Sequence, residues 1–505
     1  MKYNGDHGLS RIIQFHLILN ILFALFITAS CYYNIPLNNF NDRLAYFIHL
    51  CILQSTFAGF LYLLTLQKIL FNFLFPIIFL VLSFISFWVF SIDITMSASL
   101  IGASLSTKFY IIKDLVSLPL ISFITLSFCV LFYIIRFYKS INSRKGVAWF
   151  LPFSLLLISL FFYVNKKKDR TLSSKLPYSF FYSLNEYFNT DTISLNEPIL
   201  PIKTTINEDL KVVFVLGESV RADHLGINGY KRKTTPFLSK KKNVISFKNT
   251  YTNKGNTLES VPQILTSESI YKSENDNIFS LFDVIKKRNY STYWFGNQLL
   301  ESTYKPIVNT SNTVTIIDEF RSFYSFHKKQ DLELLPYLNN VLSKENQGLF
   351  SLHMIGSHWW YEDKYTQEFR KFLPVVDSKY IPSLSKEQMV NSYDNTILYL
   401  DNFLNEVILE LDKQQQPTIL IYTSDHGEAL GENGKWLHSH FDALTNPAML
   451  VWYSNSFEKR FPKKIKALRN KKEELITTDF IYHSILDLFN IKINNNKFSF
   501  FSCEE

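Results

Sequence analysis

Acidic residues and histidines follow several apolar segments in the second half of the chain. Glu218 comes directly after the run KVVFVLG at 211–217, and the pair Asp425-His426 follows PTILIYTS at 417–424. Carboxylate oxygens and imidazole nitrogens are the ligands that Zn2+ and Mn2+ take in proteins. A single residue of this kind is more often a salt bridge or a hydrogen-bonded histidine. Several of them at the ends of strands together predict a metal site.

Three further histidines could belong to the same metal site. His358 follows a third apolar segment, and His438 and His440 lie in GENGKWLHSH shortly after the last strand mentioned. Gly427 allows the irregular turn from which the two residues before it can both reach one ion.

Ser219 raises a different possibility, the nucleophile of a serine hydrolase. The motif of that elbow is G-x-S-x-G. Gly217 is present, but Arg221 occupies the position of the second glycine. The spacing therefore argues against a nucleophile elbow, and we expect Ser219 to steady the turn that carries Glu218.

The segments around these residues predict an α/β domain over residues 206–505. Apolar runs of strand length alternate with helical patterns at 388–414 and 477–490. Strands that are buried on both faces and alternate with helices form a mainly parallel sheet. Ligands bind beyond the carboxyl ends of the strands in such sheets, and the acidic residues and histidines lie there.

Residues 1–165 are predicted to form a membrane domain. Five apolar runs are each long enough to cross a bilayer, which takes ~20 apolar residues, and charged residues lie at their edges. The alternatives are buried core helices or, for the first run, a removable signal peptide, but the four runs that follow favour an uncleaved helix. The predicted spans are 12–33, 44–66, 69–91, 115–135 and 147–164.

The short loops predict the orientation. The loop at 136–146 is rich in Lys and Arg, so we expect it to be cytoplasmic, and an odd number of spans then puts the C-terminal domain outside. Residues 166–205 form a connector. Its aromatic, amphipathic segment 176–188 either lies on the membrane surface or packs on the soluble domain.

Composition excludes some classes of function. The net charge of +8 is diffuse and suits anionic lipid surfaces. The chain has no basic stripe with interleaved aromatic residues, so nucleic acid is not an expected partner. Three of the four cysteines lie in the predicted spans, so the sequence predicts no disulfide framework.

Two long blocks resemble the signature sequences of the bacterial phosphoethanolamine transferases that decorate lipid A. They are GESVRADHLGINGYKRKTTPFL at 217–238 and SDHGEALGENGKWLH at 424–438. The family's five spans and amphipathic connector are similar to the N-terminal part. The resemblance implies an α/β/α fold of the alkaline phosphatase and sulfatase superfamily with a mainly parallel sheet, held in the periplasm by five transmembrane helices in the bacterial inner membrane.

The resemblance also implies roles for individual residues. Glu218, Asp425 and His426 match the family's zinc ligands, so Zn2+ is the expected cofactor, with Mn2+ as the alternative. The family's nucleophile is a threonine five residues before the proline of a Val-Pro pair, which here gives Thr257. We expect Thr257 to be both the catalytic residue and a metal ligand.

Four residues are predicted to bind substrate. His358 and His438 match further histidines near the metal, where they would neutralise phosphoryl oxygens or act as acid and base. Asn297 and Gln298 follow a predicted strand in WFGNQ. They bind phosphate or headgroup, or else they form an ordinary turn at the strand end.

These assignments imply a phosphotransfer in two steps. A threonine hydroxyl is a weak nucleophile until a metal or a base lowers its pKa. Activated Thr257 would attack the phosphorus of phosphatidylethanolamine and expel diacylglycerol, and a lipid A or other glycan acceptor would then take the group. The expected partners are this donor, this acceptor and membrane lipids, and we expect a monomer.

The sequence departs from the family in two places. Asn253 and Gln263 stand near the positions of a disulfide that brackets the nucleophile in many members, and His358-Trp359-Trp360 replaces an HGP-type sequence. The second difference favours a different acceptor or headgroup pocket.

Three other functions share part of this pattern. A phosphoglycerol transferase acting on a glycan or lipoteichoic-type acceptor would use the same metal and threonine, although the GESVRADH block favours phosphoethanolamine. A sulfatase would need a Cys or Ser in a C/S-x-P-x-R context, and nothing near Thr257 offers one. A non-catalytic scaffold would not need the metal ligands and the threonine together.

Overall fold

The structure is a computed structural model that describes most of the chain. It describes residues 4–35, 37–92, 96, 98, 100–101, 118–141, 151–167, 171–189, 193–198, 209–269, 277–321, 327–379, 381–438, 441–491 and 498–502. The chain forms two compact units. One comprises Met1–Thr190 with Ser378–Ser383, and the other comprises Asp191–Asp377 with Leu384–Glu505.

The first unit is built from apolar helices. Among the described residues, four stretches are long and apolar enough to cross a membrane: Ser10–Tyr33, Phe40–Thr65, Lys68–Ser91 and Leu118–Lys139. They match the first four predicted spans. The helices are α1 (Asn4–Leu19), α2 (Leu25–Tyr33), α3 (Phe40–Thr65), α4 (Lys68–Ile92), α5 (Leu118–Lys139), α6 (Leu151–Lys167) and α7 (Tyr178–Asn189), with a π-helical turn at Asn20–Ala24 between the first two.

The fifth predicted span, 147–164, lies partly outside the described residues. Its described part is α6, a helix of 17 residues, which at 1.5 Å per residue is about 26 Å long. The described length is therefore shorter than the ~30 Å hydrocarbon core of a bilayer.

Helix α7 covers most of the segment 176–188 that the sequence predicts to be amphipathic. Tyr178 lies 4.2 Å from Phe161 between ring centroids and donates a hydrogen bond of 2.9 Å to Thr56. Phe181 and Phe188 on the same helix remain exposed. The helix thus packs on other helices of the first unit and leaves an aromatic face uncovered.

The second unit alternates strands and helices. Its strands are β1 (Lys211–Gly217), β2 (Val244–Phe247), β3 (Thr250–Tyr251), β4 (Ser291–Gly296), β5 (Thr313–Ile316), β6 (Gly348–His353), β7 (Thr418–Ser424), β8 (Ala429–Leu430), β9 (Trp436–Leu437), β10 (Met449–Tyr453) and β11 (Ile476–Thr477). Its helices are α8 (Thr257–Leu265), α9 (Leu281–Lys286), α10 (Lys305–Val308), α11 (Leu335–Leu342), α12 (Lys386–Asp412), α13 (Phe441–Leu444), α14 (Asn455–Arg460), α15 (Pro462–Asn470) and α16 (Phe480–Leu488).

Seven strands form the main sheet, in the order β2-β10-β7-β1-β6-β4-β5. Strand β1 is parallel to both β6 and β7, and β4 is parallel to β5 and β6. Strand β10 is antiparallel to both of its neighbours. The prediction of a mainly parallel sheet is confirmed.

Both faces of this sheet are covered. Along β1, Val212 and Phe214 belong to one apolar core, which includes residues of α8 and α16. Val213 and Val215 belong to the other core, which includes residues of α11 and α12. Successive residues of a strand point to opposite faces. Strand β1 is buried along its whole length and carries apolar residues from Val212 to Leu216. It therefore requires helices on both sides, which is the α/β/α arrangement that the resemblance implies.

The strand register brings the ends of β1, β6 and β7 together. Leu216 is paired with His353, and Gly217 is paired with Ser424. The residues one or two positions further along each strand therefore meet at one edge of the sheet. This edge carries Glu218 and Asp425.

Candidate metal centre and nucleophile

Four side chains predicted to act together meet at the carboxyl end of the sheet. The Thr257 hydroxyl donates a hydrogen bond of 3.0 Å to Glu218 Oε2 and lies 3.5 Å from His426 Nε2. His426 Nε2 is 3.4 Å from Glu218 Oε1 and 3.3 Å from Asp425 Oδ2. Oxygen and nitrogen atoms of four residues thus surround one point.

Backbone groups fix the orientation of two of these side chains. Asp425 Oδ1 accepts hydrogen bonds from the backbone of Ser219, at 3.1 Å, and of His426, at 2.8 Å. His426 Nδ1 lies 2.7 Å from the carbonyl of Gly427. Because a carbonyl only accepts, Nδ1 carries the proton and Nε2 has a free lone pair for a metal.

The residues present fit a divalent cation. Glu218, Asp425 and His426 are fully buried, and Asp425 Oδ2 has no hydrogen-bond partner among the described residues. Burial and the neighbouring Asp425 carboxylate raise the pKa of Glu218. Burial alone would lower the pKa of His426, but the carboxylates of Asp425 and Glu218 raise it. Two buried carboxylates side by side need a compensating positive charge, which a bound metal supplies.

Thr257 is the first residue of helix α8. Asn256 caps this helix, because its side chain accepts a hydrogen bond of 3.2 Å from the backbone of Glu259. The N-terminal end of a helix carries a partial positive charge. The Thr257 oxygen is therefore placed where negative charge on it, or on a phosphoryl group bound to it, is stabilised.

The two predicted histidines lie near this centre. His438 is half-exposed, and its ring centroid is 4.7 Å from that of His426. Ligand atoms of Glu218, His426 and His438 lie within 4.8 Å of one another. Burial lowers the pKa of His358, and the nearby Glu218 carboxylate opposes that shift.

Asn297 and Gln298 point in different directions. Gln298 Nε2 donates a hydrogen bond of 3.1 Å to Glu218 Oε2, so this amide contacts the metal centre. Asn297 Nδ2 instead donates to Asp331 Oδ1, at 2.9 Å, and to the carbonyl of Lys329, at 2.8 Å. Substrate binding by either residue stays a prediction.

Sequence reasoning missed several residues that hold the centre. Tyr393, on helix α12, donates a hydrogen bond of 2.7 Å to the carbonyl of Ser219. It also accepts one of 2.9 Å from the backbone of Arg221. Ser219 has a positive φ of 60°, and its hydroxyl donates to Glu218 Oε1 at 2.8 Å, as expected for a residue that steadies the turn. No local motif could have pointed to Tyr393.

Glu428 was also missed, although it lies inside the block at 424–438. It is buried, and its Oε2 is 3.8 Å from His438 Nε2. Burial raises the pKa of Glu428 to about 8. A carboxyl group is therefore available beside the histidine. His440, a candidate from the sequence, lies outside the described residues.

Gly356 should tolerate no side chain. Its φ is +50°, and an added Cβ would lie 2.9 Å from both the backbone nitrogen and the carbonyl oxygen of Glu218. We expect Gly356→Ala to lower the free energy of unfolding by about 1–3 kcal/mol and to weaken metal binding, because Glu218 must move. Thermal unfolding and zinc titration of the purified protein measure the two effects.

Gly229→Ala is the matched control. Gly229 also has a positive φ, +94°, but nothing lies within 4 Å of an added Cβ. This variant therefore reports backbone strain alone. If Gly356→Ala and Gly229→Ala bind zinc with equal affinity, the contact between Gly356 and Glu218 is not the cause of weaker metal binding.

Known proteins resemble this chain in sequence and in fold. The sequence profile named Sulfatase matches residues 211–491, more than half of the chain. The chain belongs to the sulfatase family.

Two similar proteins, one of them solved in two forms, illustrate the likeness. Phosphoethanolamine transferase EptA of Escherichia coli (strain K12) is 30% identical over 327 residues, which cover 62% of this chain and 59% of that protein. The solved soluble domain of lipooligosaccharide phosphoethanolamine transferase A from Neisseria meningitidis is 27% identical, with a TM-score of 0.53, over 60% of this chain and 94% of that one. The integral membrane form of the same protein covers 97% of this chain and 96% of its own, at 22% identity and a TM-score of 0.53, which shows a shared fold.

The resemblance to phosphoethanolamine transferases read from the two sequence blocks is thereby confirmed. The alignment with the Escherichia coli relative spans less than two thirds of that protein's length.

Proposed function

We propose that this chain transfers phosphoethanolamine from phosphatidylethanolamine to a lipid A or lipopolysaccharide-type acceptor, through a phospho-threonine intermediate at Thr257. One observation carries the proposal. The Thr257 hydroxyl points at Glu218 and His426, at 3.0 and 3.5 Å, within a chain that is similar to phosphoethanolamine transferases over its soluble half.

The metal site of the proposal consists of Glu218, Asp425 and His426, with Thr257 as a further ligand. The mixed oxygen and nitrogen set suits Zn2+, and Mn2+ is the alternative. When bound, such an ion lowers the pKa of a hydroxyl or water beside it and stabilises negative charge on phosphoryl oxygens.

In the first step the Thr257 oxygen forms a bond to the donor's phosphorus. The bond from that phosphorus to the diacylglycerol oxygen breaks. Thr257 loses its hydroxyl proton, and the departing diacylglycerol oxygen gains one, so no net proton is consumed. The end of helix α8 and the nearby histidines His358 and His438 stabilise the charge that develops on the phosphoryl oxygens.

In the second step a hydroxyl or phosphate oxygen of the acceptor attacks the same phosphorus. The bond to the Thr257 oxygen breaks, and Thr257 regains a proton. His438 is the candidate acid and base for this exchange because it is half-exposed and lies 3.8 Å from Glu428. Burial lowers the pKa of His438 to about 3, so its ring is neutral at pH 7 and can take the acceptor's proton before a proton returns to Thr257.

The same proposal includes the placement of the chain. A fifth span at 147–164 joins the four apolar helices, the connector runs from 166 to 205, and the catalytic domain covers 206–505. Five spans put the basic loop at 136–146 in the cytoplasm and the catalytic domain in the periplasm of a bacterial inner membrane. The donor lipid is then available in the membrane to which the domain is tethered.

The donor headgroup is the point to test first. The purified full-length protein with zinc is reconstituted with lipid A and either phosphatidylethanolamine or phosphatidylglycerol. We expect diacylglycerol release and a lipid A product heavier by one phosphoethanolamine group, with the first donor alone. Transfer from phosphatidylglycerol but not from phosphatidylethanolamine would replace this proposal by a phosphoglycerol transferase.

A further inference from the structure

Asp331 is a buried carboxylate outside the metal cluster. Its Oδ1 accepts a hydrogen bond of 2.9 Å from the backbone of Ile355, and its Oδ2 accepts one of 3.0 Å from the backbone of Gly356. Asn297 Nδ2 donates a third, at 2.9 Å, to Oδ1. One side chain therefore holds two consecutive backbone N–H groups just beyond the end of β6.

The segment held in this way lies directly against Glu218. Gly356 is so close that an added Cβ would be 2.9 to 3.0 Å from the backbone and Cβ of Glu218. The backbone of Ser357 also donates a hydrogen bond of 3.0 Å to the Glu218 carbonyl. A shift of the segment would therefore displace Glu218.

A second connection reaches the Glu218 carboxylate itself. Gln298 Nε2 donates to Glu218 Oε2, at 3.1 Å, and to the carbonyl of Met354, at 2.7 Å. The neighbouring Asn297 is bound to Asp331 and, through its backbone N–H, to the carbonyl of His353, at 2.8 Å. The residues that follow β4 and β6 are thus hydrogen-bonded to one another and to Glu218. Asp331 is hydrogen-bonded to both of these segments.

We infer that Asp331 is a positioning residue that orients Glu218 for metal binding by clamping the Ile355-Gly356 segment. The inference rests on the proposed function for its metal, but it concerns the affinity of the site rather than the group transferred. Burial raises the pKa of Asp331, and its hydrogen bonds from Asn297, Ile355 and Gly356 oppose that rise. Both carboxyl oxygens accept N–H groups, which suits a clamp. Residues that hold a metal ligand in place typically contribute 10- to 100-fold in metal affinity.

The variant Asp331→Asn tests the clamp with almost no change in size. An asparagine keeps one acceptor oxygen, but its NH2 group faces the second backbone N–H, so one buried donor loses its partner. We expect the zinc dissociation constant of the purified full-length protein to rise by about 10- to 100-fold. Competition with a fluorescent zinc chelator measures it at a temperature well below unfolding.

Asp318→Asn is the matched control. Asp318 is also a buried aspartate, but its described contacts are Lys328, at 3.3 Å, Arg321, at 3.9 Å, and the backbone of Lys329, at 3.3 Å. None of these contacts belongs to the segment at Glu218, and the nearest link is the carbonyl of Lys329, which accepts from Asn297 at 2.8 Å. We expect this control to lower the unfolding temperature without changing zinc affinity.

Transfer kinetics distinguish a loss of Glu218 orientation from a general loss of stability. With saturating zinc, Asp331→Asn should show a lower kcat for transfer and an unchanged KM for the donor lipid. If Asp331→Asn does not fold, Asn297→Ala replaces it, since that change removes one of the three hydrogen bonds to Asp331. The expected loss of zinc affinity then lies at the lower end of the range, about 10-fold.

Two outcomes would overturn the inference. One is wild-type zinc affinity in folded Asp331→Asn or, where that variant does not fold, in Asn297→Ala, and the other is an equal loss of affinity in Asp318→Asn. A wild-type protein that binds zinc but transfers no phosphoethanolamine would refute the proposed function instead, and the comparison of zinc affinities would still decide the role of Asp331.

Discussion

Thr257→Ala should lower phosphoethanolamine transfer by at least about a thousandfold, because removal of a covalent nucleophile leaves only binding and electrostatic effects. The variant should still fold and bind zinc, since Glu218, Asp425 and His426 remain. Diacylglycerol release from phosphatidylethanolamine measures the first half-reaction directly and does not depend on the acceptor.

Two further variants show whether the loss of transfer is due to the missing hydroxyl at position 257. Thr257→Ser keeps the hydroxyl and should be at most about 100-fold slower, the cost of a less well-positioned oxygen. Thr266→Ala makes the same chemical change at the other end of helix α8, where the hydroxyl donates to the carbonyl of Pro262 at 2.8 Å, and should keep wild-type transfer. Full activity in Thr257→Ala would refute the nucleophile.

Asp425→Asn should abolish metal binding while leaving the fold intact. The asparagine oxygen can still accept the backbone hydrogen bonds of Ser219 and His426, and its NH2 group takes the place of the unpartnered Oδ2. We expect zinc affinity to fall by more than the 10- to 100-fold typical of residues that only hold a ligand in place, with transfer lost in parallel.

The stability of the metal-free protein tests the assignment of Asp425 as a metal ligand independently. Without a metal, Glu218 and Asp425 place two carboxylates around one buried histidine, so removal of one charge should leave the unfolding temperature unchanged or raise it. Zinc should raise the unfolding temperature of the wild type but not of Asp425→Asn.

Asp223→Asn is the control. Asp223 forms a half-exposed salt bridge with Arg221, and this variant should respond to zinc like the wild type. A normal zinc response in Asp425→Asn would contradict the ligand assignment.

The meeting of the candidate metal ligands could be predicted because these residues directly follow strands. Strand β1 is recognisable from its apolar run, and the parallel register then places Glu218 beside Asp425. Thr257 could not be found from local pattern alone, since it opens a short helix between the sheet strands. Its assignment came from the resemblance to the family, and the structure brings its hydroxyl to Glu218 and His426.

The surroundings of the site could not be predicted, because they depend on contacts between distant segments. Tyr393 lies on a helix far from Ser219 in the chain, and Asp331 precedes the segment that it clamps by a whole strand and helix. The pair Asn297 and Gln298 shows the same limit. Adjacent side chains at a strand end point in opposite directions, so one reaches Asp331 and the other reaches Glu218.

The phospho-threonine intermediate is the central claim, and the intact mass of the full-length protein tests it most directly. Protein purified with zinc and incubated with phosphatidylethanolamine, but without acceptor, should contain a species heavier by one phosphoethanolamine group. Peptide mass spectrometry should locate the group on Thr257, and added lipid A should remove it. Absence of any adduct on the zinc-loaded protein, or a phosphoethanolamine adduct that persists in Thr257→Ala, would contradict the account.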